Sequence, residues 1–212
     1  MTADVSIIDY NMGNLYSISN AVKVLGYEPE VIATPEQLAG AKLVILPGVG
    51  AYRDAMAALE ERGLINALRS HVANGGRLLG VCLGMQLLFQ HSEENGGVDG
   101  LGILAGQVKR FPKVDGFKVP QIQWNRADSA ADSHMFAGLA DDPYFYFLHS
   151  YYVEPAETNA RITRSGYCGI EYCSAIEVDN VWGAQFHPEK SGEIGLQMLK
   201  NFLDQGKVDG NR

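Results

Sequence analysis

The chain has 212 residues, 46% of them hydrophobic, and a formal net charge of −8. That is enough apolar material for one domain with a real core, and the acidic balance argues against a nucleic-acid or anionic-membrane surface. Three cysteines give no disulfide framework, Asp4 and Asp9 interrupt the first apolar stretch, and no run reaches membrane-spanning length, so a soluble cytoplasmic protein is expected.

In chain order, Val5–Tyr10 reads as a strand and Asn14 as the cap of a helix carrying Leu15, Ile18, Val22 and Leu25, which Gly26 ends. Glu30–Ile32 is a second strand. Lys42–Leu46 is a third, continuously apolar like a parallel strand buried on both faces, and Pro47-Gly48-Val49-Gly50 breaks it. A helical pattern through Ala55, Leu59, Leu64, Leu68 and Val72 is interrupted near Gly63. The alternation predicts a doubly wound α/β sheet with ligands at the carboxyl ends of its strands. After His91 the pattern turns to short strands, over 103–124 and 144–182, around a loop-like stretch from Asp128 to Asp142. Val181–Phe186 is another strand, Ser191 a cap, and Ile194, Met198, Leu199 and Phe202 mark a last helix. One domain over 1–205 is expected, with a polar tail at 206–212.

The stretch Gly80-Val81-Cys82-Leu83-Gly84 reads as a nucleophile elbow, a cysteine exposed on a strand-to-helix turn that leaves no room for large neighbours. A buried free cysteine packed as a small apolar residue has the same local pattern. A cysteine nucleophile needs a base, and the candidates are His71, His91, His134, His149 and His187. His187 follows a strand and precedes Pro188, which favours an extended chain. In an extended chain Glu189 shares its face and orients the imidazole. Cys82, His187 and Glu189 then form nucleophile, acid/base and orienting group. The amides of Leu83 and of the Val49–Gly50 loop are placed to form an oxyanion hole. The glycine loop lacks the Lys and Ser/Thr of a nucleotide-phosphate loop.

With these pieces in order, the chain resembles the triad-type (class I) glutamine amidotransferases, on PGVG at 47–50, GVCLGMQ at 80–86 and QFHPEKS at 185–191. More narrowly it resembles the glutaminase subunits of imidazole glycerol phosphate synthase, on IDYNMGNLYS at 8–17, LPGVGAY at 46–52, FLHSYYV at 147–153 and GAQFHPEKSG at 183–192. The resemblance implies a three-layer flavodoxin-like fold, with a mostly parallel central sheet and antiparallel strands in the second half. It implies hydrolysis of glutamine through a glutamyl thioester on Cys82, with glutamine contacts from Gly48, Gly50, Gln86, His149, Ser150 and Tyr151. It implies ammonia transfer to a separate (β/α)8-barrel cyclase subunit in histidine biosynthesis, in a heterodimer and without cofactor or metal. Trp124, Asn125 and Lys190 are the implied contacts to that partner, and a reorientation that aims the Val49 amide at the oxyanion is the implied activation step.

One segment departs from the family pattern P-H-[MI]-G-W-N, reading Pro120-Gln121-Ile122-Gln123-Trp124-Asn125. If the family glycine has positive φ, Gln123 is strained and the coupling to the partner differs. A glutaminase with another acceptor, or a silent regulatory subunit, are the alternatives. Of the remaining residues, Cys168 and Cys173 are expected to be structural thiols, His71 and His91 solvated, and His134 without a role. Tyr144–Phe147 is expected to be a buried strand and Trp182 core, and Lys109, Arg110, Lys113 and Lys118 form a modest basic patch.

Overall fold

The apolar runs near the N-terminus become parallel strands, joined by helices whose ends carry recognisable stop signals. A computed structural model describes residues 4–130 and 132–208, leaving aside the side chains of 207 and 208. Its first half runs β1 (Val5–Ile8), α1 (Leu15–Val24), β2 (Pro29–Ile32), α2 (Pro35–Leu38), β3 (Leu43–Gly48), α3 (Tyr52–Glu61), α4 (Leu64–Ala73), β4 (Arg77–Cys82) and α5 (Leu83–Leu87). Asn14 caps α1 by accepting from the Ser17 amide at 3.3 Å. Gly26 and Gly63 take positive φ, at +83° and +67°, where α1 has ended and where the chain turns between α3 and α4.

The second half is strand-rich: β5 (His91–Ser92), β6 (Val98–Asp99), β7 (Gly106–Arg110), β8 (Gln121–Arg126), β9 (Tyr144–His149), β10 (Tyr151–Pro155), β11 (Arg161–Tyr167), β12 (Ile170–Val178) and β13 (Val181–Ala184), then α6 (Gly192–Val208). Among the described residues eleven strands form one sheet, in the order β2-β1-β3-β4-β13-β12-β10-β7-β5-β6, with β11 paired to β12. The first five are mutually parallel, and β12, β10 and β7 continue antiparallel. Strands β8 and β9 form a separate antiparallel ribbon. The fold is the expected α/β sheet, mostly parallel at its centre and extended by antiparallel strands.

Alternation along the parallel strands sends neighbouring side chains to opposite cores. Leu43, Ile45, Leu79 and Val81 join the layer that packs against α1 and α6. Val44, Leu46 and Leu78 join the layer under α3, α4 and α5. The result is three layers.

Several local expectations are corrected. Strand β3 runs through Pro47 and Gly48, because both remain in parallel register with Val81 and Cys82. Tyr144–Phe147 is not wholly buried: Phe145 and Phe147 face the core while Tyr144 is exposed, the period-two pattern of a ribbon with one wet face. His71 is buried, not solvated, with Nε2 at 3.1 Å from the Arg77 carbonyl, and burial lowers its pKa. Lys109 of the basic patch is paired with Glu154 at 2.6 Å. Cys168 and Cys173 are free, buried thiols, and burial pushes Cys173 up to about 12. Trp182 is core, packed on Phe202. Helix α6 continues to Val208; the rest of the expected tail, 209–212, lies outside the described residues.

Candidate active site

Strand β4 delivers Cys82 to the first turn of α5 with φ 56° and ψ −112°. A non-glycine residue at positive φ is strained, and such strain persists only where the surroundings hold it. Here three glycines let the backbones close in. A Cβ on Gly84 would lie 1.9 Å from the Leu46 carbonyl oxygen, and one on Gly80 would lie 2.7 Å from that of Gly84. A Cβ on Gly48 would lie 2.6 Å from the Gly84 nitrogen. Gly48, expected to touch substrate, packs against the elbow at Leu83 and Gly84, and the two residues after it line the cleft.

Strand β13 ends on the other side of β4 and delivers His187. Its Nδ1 lies 2.8 Å from Glu189 Oε1, with side-chain exposures of 3% and 1%. The two meet as expected but by another route. His187 is extended, and a 3₁₀ turn at Pro188–Lys190 folds the carboxylate back onto the ring. Ser191, expected as a helix cap, holds this turn: its Oγ donates to the His187 carbonyl at 2.6 Å and accepts the Tyr146 amide at 3.0 Å. The His187 amide donates to the Tyr146 carbonyl at 2.9 Å, which ties the turn to β9.

Burial alone would lower the His187 pKa, but negative charge on Cys82 and the bond to Glu189 outweigh it and hold the imidazole at about 10. His187 Nε2 is buried without a hydrogen-bond partner among the described residues. The ring therefore presents a free nitrogen on its cleft side while Nδ1 is anchored.

Cys82, Leu83 and His187 line a cleft of about 240 Å³ together with Val49, Gly50, Gln86, His149, Ser150 and Tyr151, all anticipated from the sequence. Glu94, Pro120 and Leu148 line it too and were not anticipated. Glu94 sits in a short 3₁₀ turn of the polar loop after His91, and its Oε2 accepts the Tyr52 amide at 3.1 Å. Gln185 is a further missed residue: its Nε2 lies 3.9 Å from Cys82 Sγ and its Oε1 accepts from Gln86 Nε2 at 2.9 Å. It stands inside the motif QFHPEKS, so its signal was present without an assigned role.

The Val49 amide donates to the Met12 carbonyl at 2.9 Å. It is therefore committed to Met12 in this structure and not turned to Cys82, where an oxyanion donor was expected. Gly50, with φ +98°, gives the loop freedom beside it.

Of the expected partner residues, Trp124 and Asn125 lie on the β8–β9 ribbon, which also carries the cleft residues Leu148 and His149, and Lys190 lies in the turn after His187. On the ribbon, Ile122 and Trp124 are 57% and 52% exposed, and cross-strand register sets Ile122 beside Leu148, itself 37% exposed. Asn125 donates to the Gly166 carbonyl at 3.0 Å, and Lys190 is exposed next to Glu189. Gln123 is exposed in β8 and is not among the positive-φ residues, so no backbone strain attends it. Gln121, by contrast, is fully buried.

The sequence pattern of the class-I glutamine amidotransferases matches residues 6–205. Over 200 residues the chain is 46% identical to the imidazole glycerol phosphate synthase subunit HisH of Chlorobium luteolum, covering 94% of this chain and 99% of that protein. It is 48% identical over 198 residues to the HisH subunit of Desulfitobacterium hafniense, covering 93% and 92%. A crystal structure of a glutamine amidotransferase superposes with TM-score 0.76 at 21% identity, over 96% of this chain and 99% of that one. The structure of PurLQS from Thermotoga maritima also gives 0.76, at 18% identity and 97% and 99% coverage. The chain belongs to the class-I glutamine amidotransferases, and within them to the family of HisH subunits of imidazole glycerol phosphate synthase.

Proposed function

We propose that this chain is the glutaminase subunit that releases ammonia from glutamine and passes it to a cyclase subunit making imidazole glycerol phosphate. The observation that carries the chemistry is the buried His187–Glu189 pair beside an elbow cysteine, with the free imidazole nitrogen on the cleft side. Cys82 Sγ attacks the side-chain amide carbon of glutamine. His187, already protonated beside the negative charge of Cys82, gives its proton to the leaving nitrogen, so ammonia departs and a glutamyl thioester remains. The ring, now neutral, deprotonates water, which cleaves the thioester to glutamate and restores the charged Cys82–His187 pair. Glu189 keeps Nδ1 protonated and fixes the ring's orientation.

Glu94 is the one carboxylate lining the cleft among the described residues, which suits it to the α-ammonium of glutamine. Gln86 and the segment His149–Tyr151 form the walls that fix the substrate. The Leu83 amide and, after rotation of its peptide, the Val49 amide stabilise the oxyanion. That rotation breaks the bond to Met12, so the resting subunit is weakly active and partner binding triggers turnover. The exposed apolar face of Ile122, Trp124 and Leu148 opens beside Cys82, whose Sγ lies 3.8 Å from the Leu148 carbonyl. A (β/α)8-barrel cyclase seated there, with contacts to Asn125 and Lys190, receives ammonia without losing it to solvent. Residues 1–205 act as one domain, in the cytoplasm. The unstrained Gln123 backbone gives no support to a different acceptor.

The test is Cys82→Ala in complex with the cyclase subunit. Glutamine-dependent synthesis should vanish while synthesis from added ammonium persists. Loss of both with the complex intact refutes the assignment.

A further inference from the structure

We infer that Tyr172 and Gln121 form a buried positioning relay that hydrogen-bonds His149 Nε2 and so holds the His149–Tyr151 wall of the cleft. The inference rests on the reading of that cleft as the glutamine site. Gln121 of β8 pairs in register with His149 of β9, and Tyr172 of β12 lies beneath both. The Tyr172 hydroxyl is 3.1 Å from Gln121 Oε1 and 3.5 Å from His149 Nε2. Phe111 stands 5.2 Å from the Tyr172 ring and 5.1 Å from the His149 ring, and Phe147 stands 5.7 Å from His149. Gln121 and His149 are 0% and 6% exposed, so water does not substitute for these partners.

The proton inventory decides the direction of the chain. His149 Nδ1 lies 2.8 Å from the Tyr151 carbonyl, which only accepts, so Nδ1 carries a proton. Burial, reinforced by the charge of His187, keeps the ring neutral, so Nε2 must accept. The Tyr172 hydroxyl has one proton for two acceptors. Gln121 Nε2, meanwhile, is buried without a partner among the described residues. Rotating that amide by half a turn resolves the conflict. Gln121 Nε2 then donates to the Tyr172 oxygen, and the phenolic proton goes to His149 Nε2. Ser165 and Asn125 also act on this hydroxyl, but Ser165 donates to the Arg126 carbonyl and Asn125 to that of Gly166.

The relay ends at the Tyr151 carbonyl, which also accepts Gln86 Nε2 at 2.9 Å. Gln86 continues to Gln185 and Gln185 to Cys82, so the wall and the nucleophile share one network. Gln121 thus supplies a donor that does not titrate.

The test combines spectroscopy and kinetics on wild type, Tyr172→Phe and Gln121→Met. In ¹⁵N-histidine correlation spectra, wild-type His149 should be protonated at Nδ1 and bare at Nε2, and Tyr172→Phe should shift the Nε2 resonance as its donated hydrogen bond is lost; an Nε2 resonance left unmoved overturns the relay. A proton on Nε2 in wild type overturns the relay. In the complex with the cyclase subunit, Tyr172→Phe should raise KM for glutamine about three- to tenfold, as for one lost buried hydrogen bond, with kcat within about twofold. A fall in kcat at unchanged KM overturns the positioning role. Should Tyr172→Phe not fold, Gln121→Met carries the kinetic readout, since Tyr172 loses the donor that holds its oxygen, and a fall in kcat at unchanged KM overturns the positioning role there too. If wild type releases no glutamate, the reading of the cleft fails while the tautomer measurement still judges the relay.

Discussion

Glu189→Gln is the sharpest probe of the proposed triad, because it changes charge and little else. The Glu189 carboxylate holds His187 Nδ1 at 2.8 Å in a site where both side chains are almost fully enclosed. A glutamine oxygen still accepts that proton, so ring orientation survives and only the charge assistance is lost. A hydrogen bond to a charged group contributes about 1.5–3 kcal/mol. At about 1.4 kcal/mol per factor of ten, its loss predicts a decrease of about 10- to 150-fold in kcat/KM. The effect should fall on kcat, since Glu189 does not line the cleft and His187 does. The assay is glutamate release from glutamine with the cyclase subunit present. A variant within about twofold of wild type in kcat/KM would refute the role of Glu189 as the charged partner of the acid/base.

The same pair predicts a dependence of stability on pH. His187 is raised from 6.5 to about 10, so the folded state binds its proton more tightly than the unfolded chain. Its stabilising contribution is complete below the unfolded value and is lost as pH rises towards about 10. The Tm advantage of wild type over His187→Gln should therefore shrink across that window, and an advantage independent of pH contradicts the linkage. Gly84→Ala places a Cβ 1.9 Å from a backbone oxygen of β3, which must move; urea titration should show a loss of about 3 kcal/mol, and an unchanged midpoint would disprove the close approach. Trp124→Ala removes the exposed aromatic of the β8–β9 ribbon and should weaken the proposed cyclase complex at least about 30-fold by calorimetry. Undiminished affinity would move the docking face elsewhere.

Much of this protein was legible in local pattern. The elbow at Cys82 is declared by its flanking glycines, because only glycine tolerates the approach of β3 to α5. His187 and Glu189 are two residues apart, and short-range geometry brings such a pair together whether the chain is extended, as expected, or turned, as found. Asn14, Gly26 and Gly63 mark helix boundaries through their own capping or backbone chemistry.

What the sequence left undetermined is where polar groups find partners across long separations. Periodicity reports which face of an element is apolar, not which element will lie against it. Glu94 joins the cleft from a polar loop, and Gln185, just after β13, brings its side chain to 3.9 Å from Cys82 Sγ. Gln121, Tyr172 and His149 converge from three strands, and Ser191 gives up its expected cap to bridge β9 and the catalytic turn. The Val49 amide had a plausible destination in the oxyanion hole, yet in this structure it serves Met12. A buried donor takes the acceptor that packing places within reach, so residue types fixed the chemistry available to this chain, and the tertiary arrangement of its strands decided which groups are joined.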